Sequence, residues 1–300
     1  VALTGCSTPQ RAPAPPPPPP DDTAIRVREV ERPKEPEPAP PYRALLPNSA
    51  VLYLPPTFTP KRGAYDLLVH FHGESRLQEQ NIERAKLDVA VVSVNLGLGT
   101  DSYANAFRSA DAFDRLLSTI LAGVAKSGRA EGASVGRIAL SAWSAGFSSI
   151  SRLMNEQVAE RIDAILLADG FFTSFTDVKR RTVNAPALEK FVRFAEAAER
   201  DEKLFAITHT TIPTGPYPSA QECVAKLLDL LELTKTPSTS IGPRDLRQLY
   251  SVDARSFHVR GFEGTQASDH VKQLKAMGET MYPMLKARWD RQDGALATPR

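Results

Sequence analysis

Three hundred residues, 42% apolar and 24% charged with a net charge of +2, suit one large α/β domain with a buried core. This balance gives no electrostatic case for a nucleic-acid partner, and no arginine-rich stripe with interleaved aromatics is present. No run of eighteen apolar residues could span a bilayer. Two cysteines, Cys6 and Cys223, cannot build a disulfide framework or a Cys-rich zinc site.

The chain starts with an apolar stretch, then Leu3-Thr4-Gly5-Cys6. These four residues resemble the lipobox of bacterial lipoproteins. That resemblance implies that residues 1–6 are a signal-peptide remnant and lipobox, with Cys6 carrying the lipid, palmitate included. Ser7 after the cysteine then favours the outer membrane within the bacterial cell envelope. The bland alternative is a chance cysteine after a small residue. Residues 7–41 are dense in proline, which fixes φ and removes backbone donors. They are expected to be a disordered linker, part polyproline II and part coil, tethering a domain over 42–290. Residues 291–300 are expected to be a disordered tail.

From Tyr42 the composition changes. Strand patterns appear in SAVLYLPP, AYDLLVHFHG, LDVAVVSVNLG, VGRIALSAW, RIDAILLADG, EKLFAITHT and RSFHVRGFEG. Continuous apolar runs of this kind belong to strands covered on both faces, as in a parallel sheet. Helical patterns lie between them, at Arg76–Lys86, Ala104–Lys126, Phe147–Glu160, Pro186–Arg200, Ser219–Leu233 and His270–Trp289. Pro283 is expected to kink or divide the last. Cys223 falls in an amphipathic helix and reads as a small buried hydrophobe. The alternation predicts a doubly wound, mostly parallel α/β sheet. In such sheets ligands bind beyond the carboxyl ends of the strands. That rule selects His72-Gly73, Asn95, Ser144, Asp169, His209 and the loop before His270.

The sharpest signal is Ala142-Trp143-Ser144-Ala145-Gly146, the small-x-Ser-x-small form of a nucleophile elbow. A tight strand-to-helix turn brings the residues two before and two after the serine nearly into contact, so both must be small. The turn lifts the hydroxyl above the sheet, at a helix N-terminus that favours developing negative charge. An N-cap role would explain Ser144 but not its small neighbours. Ser141 is a rival nucleophile, although its place within the strand predicts packing or a local hydrogen bond.

A serine nucleophile needs a base, and the base an orienting acid. Of five histidines, His70 and His258 lie within strands and read as satisfied core residues. His270 follows the last strand, where the Ser…acid…His order requires a base. Asp169 closes the run AILLADG and is the preferred acid, with Asp253 its main rival. Asp269 adjoins His270 but is expected to point elsewhere. His209 is expected near the mouth of the site, touching substrate or supporting the acid. His72 and His209 have no third ligand at useful spacing, so no metal is called for.

The run VLYLPPTFTPKRGAYDLLVHFHG, with Tyr-Leu-Pro-Pro and a strand into His72-Gly73, resembles the N-terminal part of esterase- and depolymerase-type α/β hydrolases. With the elbow and the Ser…Asp…His order, the resemblance extends over residues 48–290. It implies an oxyanion hole at the backbone of Gly73 and Ala145, with His72 beside it. It also implies a serine hydrolase needing no cofactor, acting on a small-molecule or cell-envelope ester. Amide cleavage stays open, and so does a different class: an inactive hydrolase-fold binding or scaffold lipoprotein. Phe171, Phe172, Phe175 and Tyr217 are expected to shape the pocket or to be ordinary packing.

Overall fold

Runs that are apolar without interruption form the middle of the sheet. A computed structural model describes residues 39–297. The expectations for Cys6 and the proline-rich segment up to residue 38 lie outside these described residues. The strands are β1 (Tyr42–Leu46), β2 (Ala50–Leu54), β3 (Ala64–Phe71), β4 (Ala90–Val94), β5 (Ser134–Trp143), β6 (Ala164–Ala168), β7 (Phe175–Asp177), β8 (Thr182–Val183), β9 (Leu204–His209), β10 (Thr236–Pro237), β11 (Gln248–Ala254) and β12 (Phe257–Phe262). The helices are α1 (Ser75–Ala85), α2 (Thr100–Ala106), α3 (Ala112–Lys126), α4 (Phe147–Leu153), α5 (Glu156–Arg161), α6 (Glu189–Glu199), α7 (Ala220–Leu230), α8 (Ala267–Lys275) and α9 (Tyr282–Ala297).

A ten-stranded sheet runs β1-β2-β4-β3-β5-β6-β9-β12-β11-β10, while β7 and β8 pair separately. Strands β4, β3, β5, β6, β9 and β12 are mutually parallel, and antiparallel strands extend both edges. Every residue of β4 and β6 is buried, as interior parallel strands require. Alternate side chains then feed two cores. Leu67, Val69 and Phe71 join Ile120, Ile150 and Phe191 on one face. Leu68, Val91 and Leu166 join Ile82, Leu274, Leu285 and Trp289 on the other. No helix among the described residues is long and apolar enough to cross a membrane.

Several sequence expectations need correction. The predicted helix over 104–126 is two, because Phe107 through Asp111 turn the chain between α2 and α3. The one over 147–160 breaks at Met154, and Asn155 restarts it by accepting from Val158 N–H. The last one divides before Pro283, which stands in the first turn of α9, where a missing N–H is tolerated. The expected disordered tail is helical through Ala297. Its anchors are polar: Gln292 Oε1 accepts from Arg137 at 3.1 Å, and Asp293 pairs with the same guanidinium at 3.1 Å. Strands β1, β7, β8, β10 and β11 are not among the expected strands; β7, β8 and β10 are two or three residues long, and β1 and β11 alternate without a continuous apolar run.

Candidate active site

The sheet order reverses around β3. The chain leaves β3 toward β4 on one side and leaves β5 toward β6 on the other, so a crevice opens beyond their carboxyl ends. Three neighbouring strands end there on non-glycine residues with positive φ. His72 follows β3 at 72°, Ser144 follows β5 at 49° and Asp169 follows β6 at 45°. Such conformations cost about 1–3 kcal/mol each and gather where function needs them.

At the elbow, Ala142 is fully buried and faces Phe71 across the β3–β5 ladder. A Cβ on Gly146 would stand 2.1 Å from the Phe71 carbonyl oxygen, and one on Gly170 would stand 2.7 Å from Ser144 N. Gly146 and Gly170 are therefore steric requirements, and what crowds Gly146 is the end of β3 and not Ala142, contrary to the expected contact across the turn. Ser144 opens a short 3-10 segment that leads into α4.

The structure brings Ser144, Ala145, Asp169 and His270 to the wall of one cavity of about 740 Å3. His270 Nδ1–H donates to Asp169 Oδ2 at 2.7 Å, which fixes the tautomer and leaves Nε2 as the acceptor nitrogen. Asp169 also accepts from Thr210 N–H at 2.9 Å and from the Thr210 hydroxyl at 2.7 Å. Ser144 Oγ and His270 Nε2 are not hydrogen-bonded to each other. Such contacts commonly tighten only when substrate is bound.

His270 is held on two further sides. Trp143 Nε1–H donates to its carbonyl oxygen at 3.0 Å, and the indole lies across its imidazole with centroids 4.6 Å apart. His72 also stacks on Trp143, at 4.9 Å and 8°. His72 Nδ1 lies 2.8 Å from the Tyr103 hydroxyl. Burial, then the neighbouring His270, push the His72 pKa down, so this ring stays neutral. Below it, His70 Nε2 lies 2.7 Å from the His72 carbonyl and Nδ1 lies 2.8 Å from Ser141 Oγ. Burial drives the His70 pKa to about 3. Ser141 is thus fully buried and bonded to His70, which removes it as a nucleophile.

Gly73 has φ 109° and sits against Leu274, outside the residues that line the cavity. The His72 N–H is occupied by the Val94 carbonyl at 2.9 Å. His209 is not at the mouth. It is fully buried, with Nδ1 2.8 Å from the Thr210 carbonyl and Nε2 2.5 Å from the Tyr250 hydroxyl. Burial lowers its pKa. Its reach toward the site is indirect, through the neighbouring Thr210. Of the rival acids, Asp253 pairs with His258 and Arg260, and Asp269 caps α8. His258 is half-buried, not a core residue. Phe172 and Tyr217 line the cavity, whereas Phe171 is core and Phe175 lies under Arg181. Cys223 is fully buried, its thiol pushed up to about 12 by burial.

Sequence reasoning missed Trp143 as a partner of the base and Thr210 as a partner of the acid. The available signal was position: Trp143 precedes the elbow serine and Thr210 follows β9 at the sheet's carboxyl edge. A second cavity, of about 750 Å3, lies at the opposite end of β3 and β5. Its charges pair with one another, as Arg137 with Asp66 and Lys61 with Asp88, and it holds no nucleophile–base pair.

No family model matches the chain, and no curated protein matches it. Among solved structures, a poly(3-hydroxybutyrate) depolymerase from Bordetella parapertussis is 15% identical, with 79% of this chain and 82% of that one covered at TM-score 0.47. A feruloyl esterase module from Clostridium thermocellum is 12% identical, covering 81% and 86% at TM-score 0.46. A haloalkane dehalogenase from Bradyrhizobium elkanii is 10% identical, covering 85% and 99% at TM-score 0.45. At these values the likenesses assign no activity. The chain's own strand order, its Ser144 elbow and the Ser…Asp…His sequence make the fold a doubly wound sheet of α/β-hydrolase type.

Proposed function

We propose that the protein is a serine hydrolase that cleaves a carboxylic ester through an acyl-enzyme on Ser144. The supporting observation is the 2.7 Å Asp169–His270 pair on the wall of the cavity that the strained Ser144 also lines. In the reaction, Ser144 Oγ bonds to the ester carbonyl carbon as its proton passes to His270 Nε2. The carbonyl π electrons move to oxygen, and the backbone N–H of Ala145, which lines the cavity beside Ser144, receives the oxyanion. Collapse breaks the bond to the alcohol, which leaves with the proton from His270. Water, deprotonated by the same nitrogen, then releases the acid. Asp169 holds the imidazole in place throughout.

A fluorophosphonate probe tests this reading. Wild type is expected to label and Ser144→Ala is not. A folded wild-type sample that resists the probe would instead favour a hydrolase-fold binding or scaffold protein. Model esters set against peptide amides decide which bond is cut. Leu3-Thr4-Gly5-Cys6 and the proline-rich stretch after it further support tethering to a bacterial envelope membrane through a lipid on Cys6, with the outer membrane favoured. Incorporation of an alkynyl fatty acid by the full-length precursor, lost in Cys6→Ser, is the expected result.

A further inference from the structure

The cavity beside Ser144 is defined as much by its chemistry as by its shape. Its lining holds no lysine, arginine or glutamate, and its one carboxylate, Asp169, is turned to His270 and Thr210. Aliphatic and aromatic surface dominates the remainder, from Leu98, Phe172, Ile212, Tyr217 and Pro218. Two of these break the usual rule for large apolar groups. Leu98 is 92% exposed and Tyr217 is 48% exposed. Leu98 stands between Gly97, at φ 93°, and Gly99, and a Cβ on either glycine would meet nothing within 4 Å. The segment thus holds a bare leucine at the cavity with open space on both sides. Tyr217 leans against Phe172 at 6.4 Å between centroids, continuing the apolar wall outward.

A carboxylate or ammonium entering this lining would lose water and gain no opposite charge. An alkyl or aryl group would remove both its own surface and that of Leu98 and Tyr217 from water. We infer that the substrate is an uncharged ester whose acyl part is apolar and longer than acetyl, and that Leu98 and Tyr217 select it. This inference rests on the serine-hydrolase reading.

The test is a series of p-nitrophenyl esters: acetate, butyrate, octanoate and the hemisuccinate, whose acyl chain matches butyrate in length but ends in a carboxylate. kcat/KM is expected to rise at least tenfold from acetate to octanoate, and the hemisuccinate to fall at least tenfold below butyrate. Leu98→Asp and Tyr217→Asp are expected to lower the octanoate-to-acetate ratio at least fivefold, and Leu98→Met to restore it. The readout is a ratio, so a general loss of activity cannot imitate it. A flat chain-length series, or a hemisuccinate used as well as butyrate, in protein that labels with fluorophosphonate overturns the inference and leaves the hydrolase reading standing. Protein that neither labels nor turns over any ester overturns both.

Discussion

The indole of Trp143 donates to the His270 carbonyl at 3.0 Å while its ring lies across the His270 imidazole at 4.6 Å. One side chain thus fixes both the backbone and the ring of the candidate base, and does so from the position next to Ser144. An aromatic contact and a hydrogen bond of this kind are each worth about 1 kcal/mol, so Trp143→Leu is expected to lower kcat/KM about tenfold or more. Trp143→Phe keeps the stack and should lose less. Full activity in Trp143→Leu, measured on a model ester, would contradict the arrangement.

Asp169 has three donors: the His270 ring, the Thr210 N–H and the Thr210 hydroxyl. Asp169→Asn leaves the geometry nearly intact but favours the wrong imidazole tautomer, for an expected kcat loss of about 10^3–10^4. Thr210→Val removes one donor from a buried carboxylate, an effect of about 1–3 kcal/mol, and should reduce kcat roughly tenfold. Steady-state kinetics on both variants, with circular dichroism to confirm folding, measure the difference.

Gly146 has no room for a side chain, because a Cβ would press on backbone atoms of Phe71 that cannot rotate away. Gly146→Ala is expected to destabilise the fold by about 3 kcal/mol or more, beyond ordinary overpacking. Denaturant unfolding of this variant beside wild type gives the answer. An unchanged midpoint would mean that the elbow is looser than described.

Arg181 pairs with Glu222 through two contacts of 2.7 Å and, with Ser219 N–H, holds the Glu222 carboxyl down at about 2. A carboxyl whose pKa is depressed by folding adds stability above its ordinary pKa and loses it as pH falls toward the folded value. The pair is largely exposed, so solvent screening keeps the effect below about 1 kcal/mol. Glu222→Gln should melt about 1–2 °C below wild type at pH 7, and the gap should close as pH drops from about 4.5 to 2. A gap that widens in acid would refute this.

What could be read from the residues followed what physics writes locally. Unbroken apolar runs mark the interior strands because burial on both faces is written residue by residue, and the small residues around Ser144 mark the elbow although the crowding at Gly146 comes from Phe71, far away in sequence. Asp169 and His270 were reached by chain order and strand ends, and the structure pairs them. His209 was misplaced because a polar residue ending a strand looks the same whether its ring turns outward or inward to Tyr250. Gly73 follows a strand end and has a φ of 109°, but sequence does not say which cavity its loop borders. The hold of Trp143 on His270 spans the chain from β5 to α8, so the sequence marks its place beside Ser144 but not its partner.

His270 enters on α8, and α8 and α9 are the last two helices. Asn81 on α1 donates to the Leu274 carbonyl and accepts from Gly278 N–H, and on α9 Arg288 and Trp289 clasp Asp163. During synthesis, the serine and the acid emerge before the imidazole and the helix that carries it. Under the proposed reading, a product truncated before α8 would carry the nucleophile and the acid without a base, and would be inert.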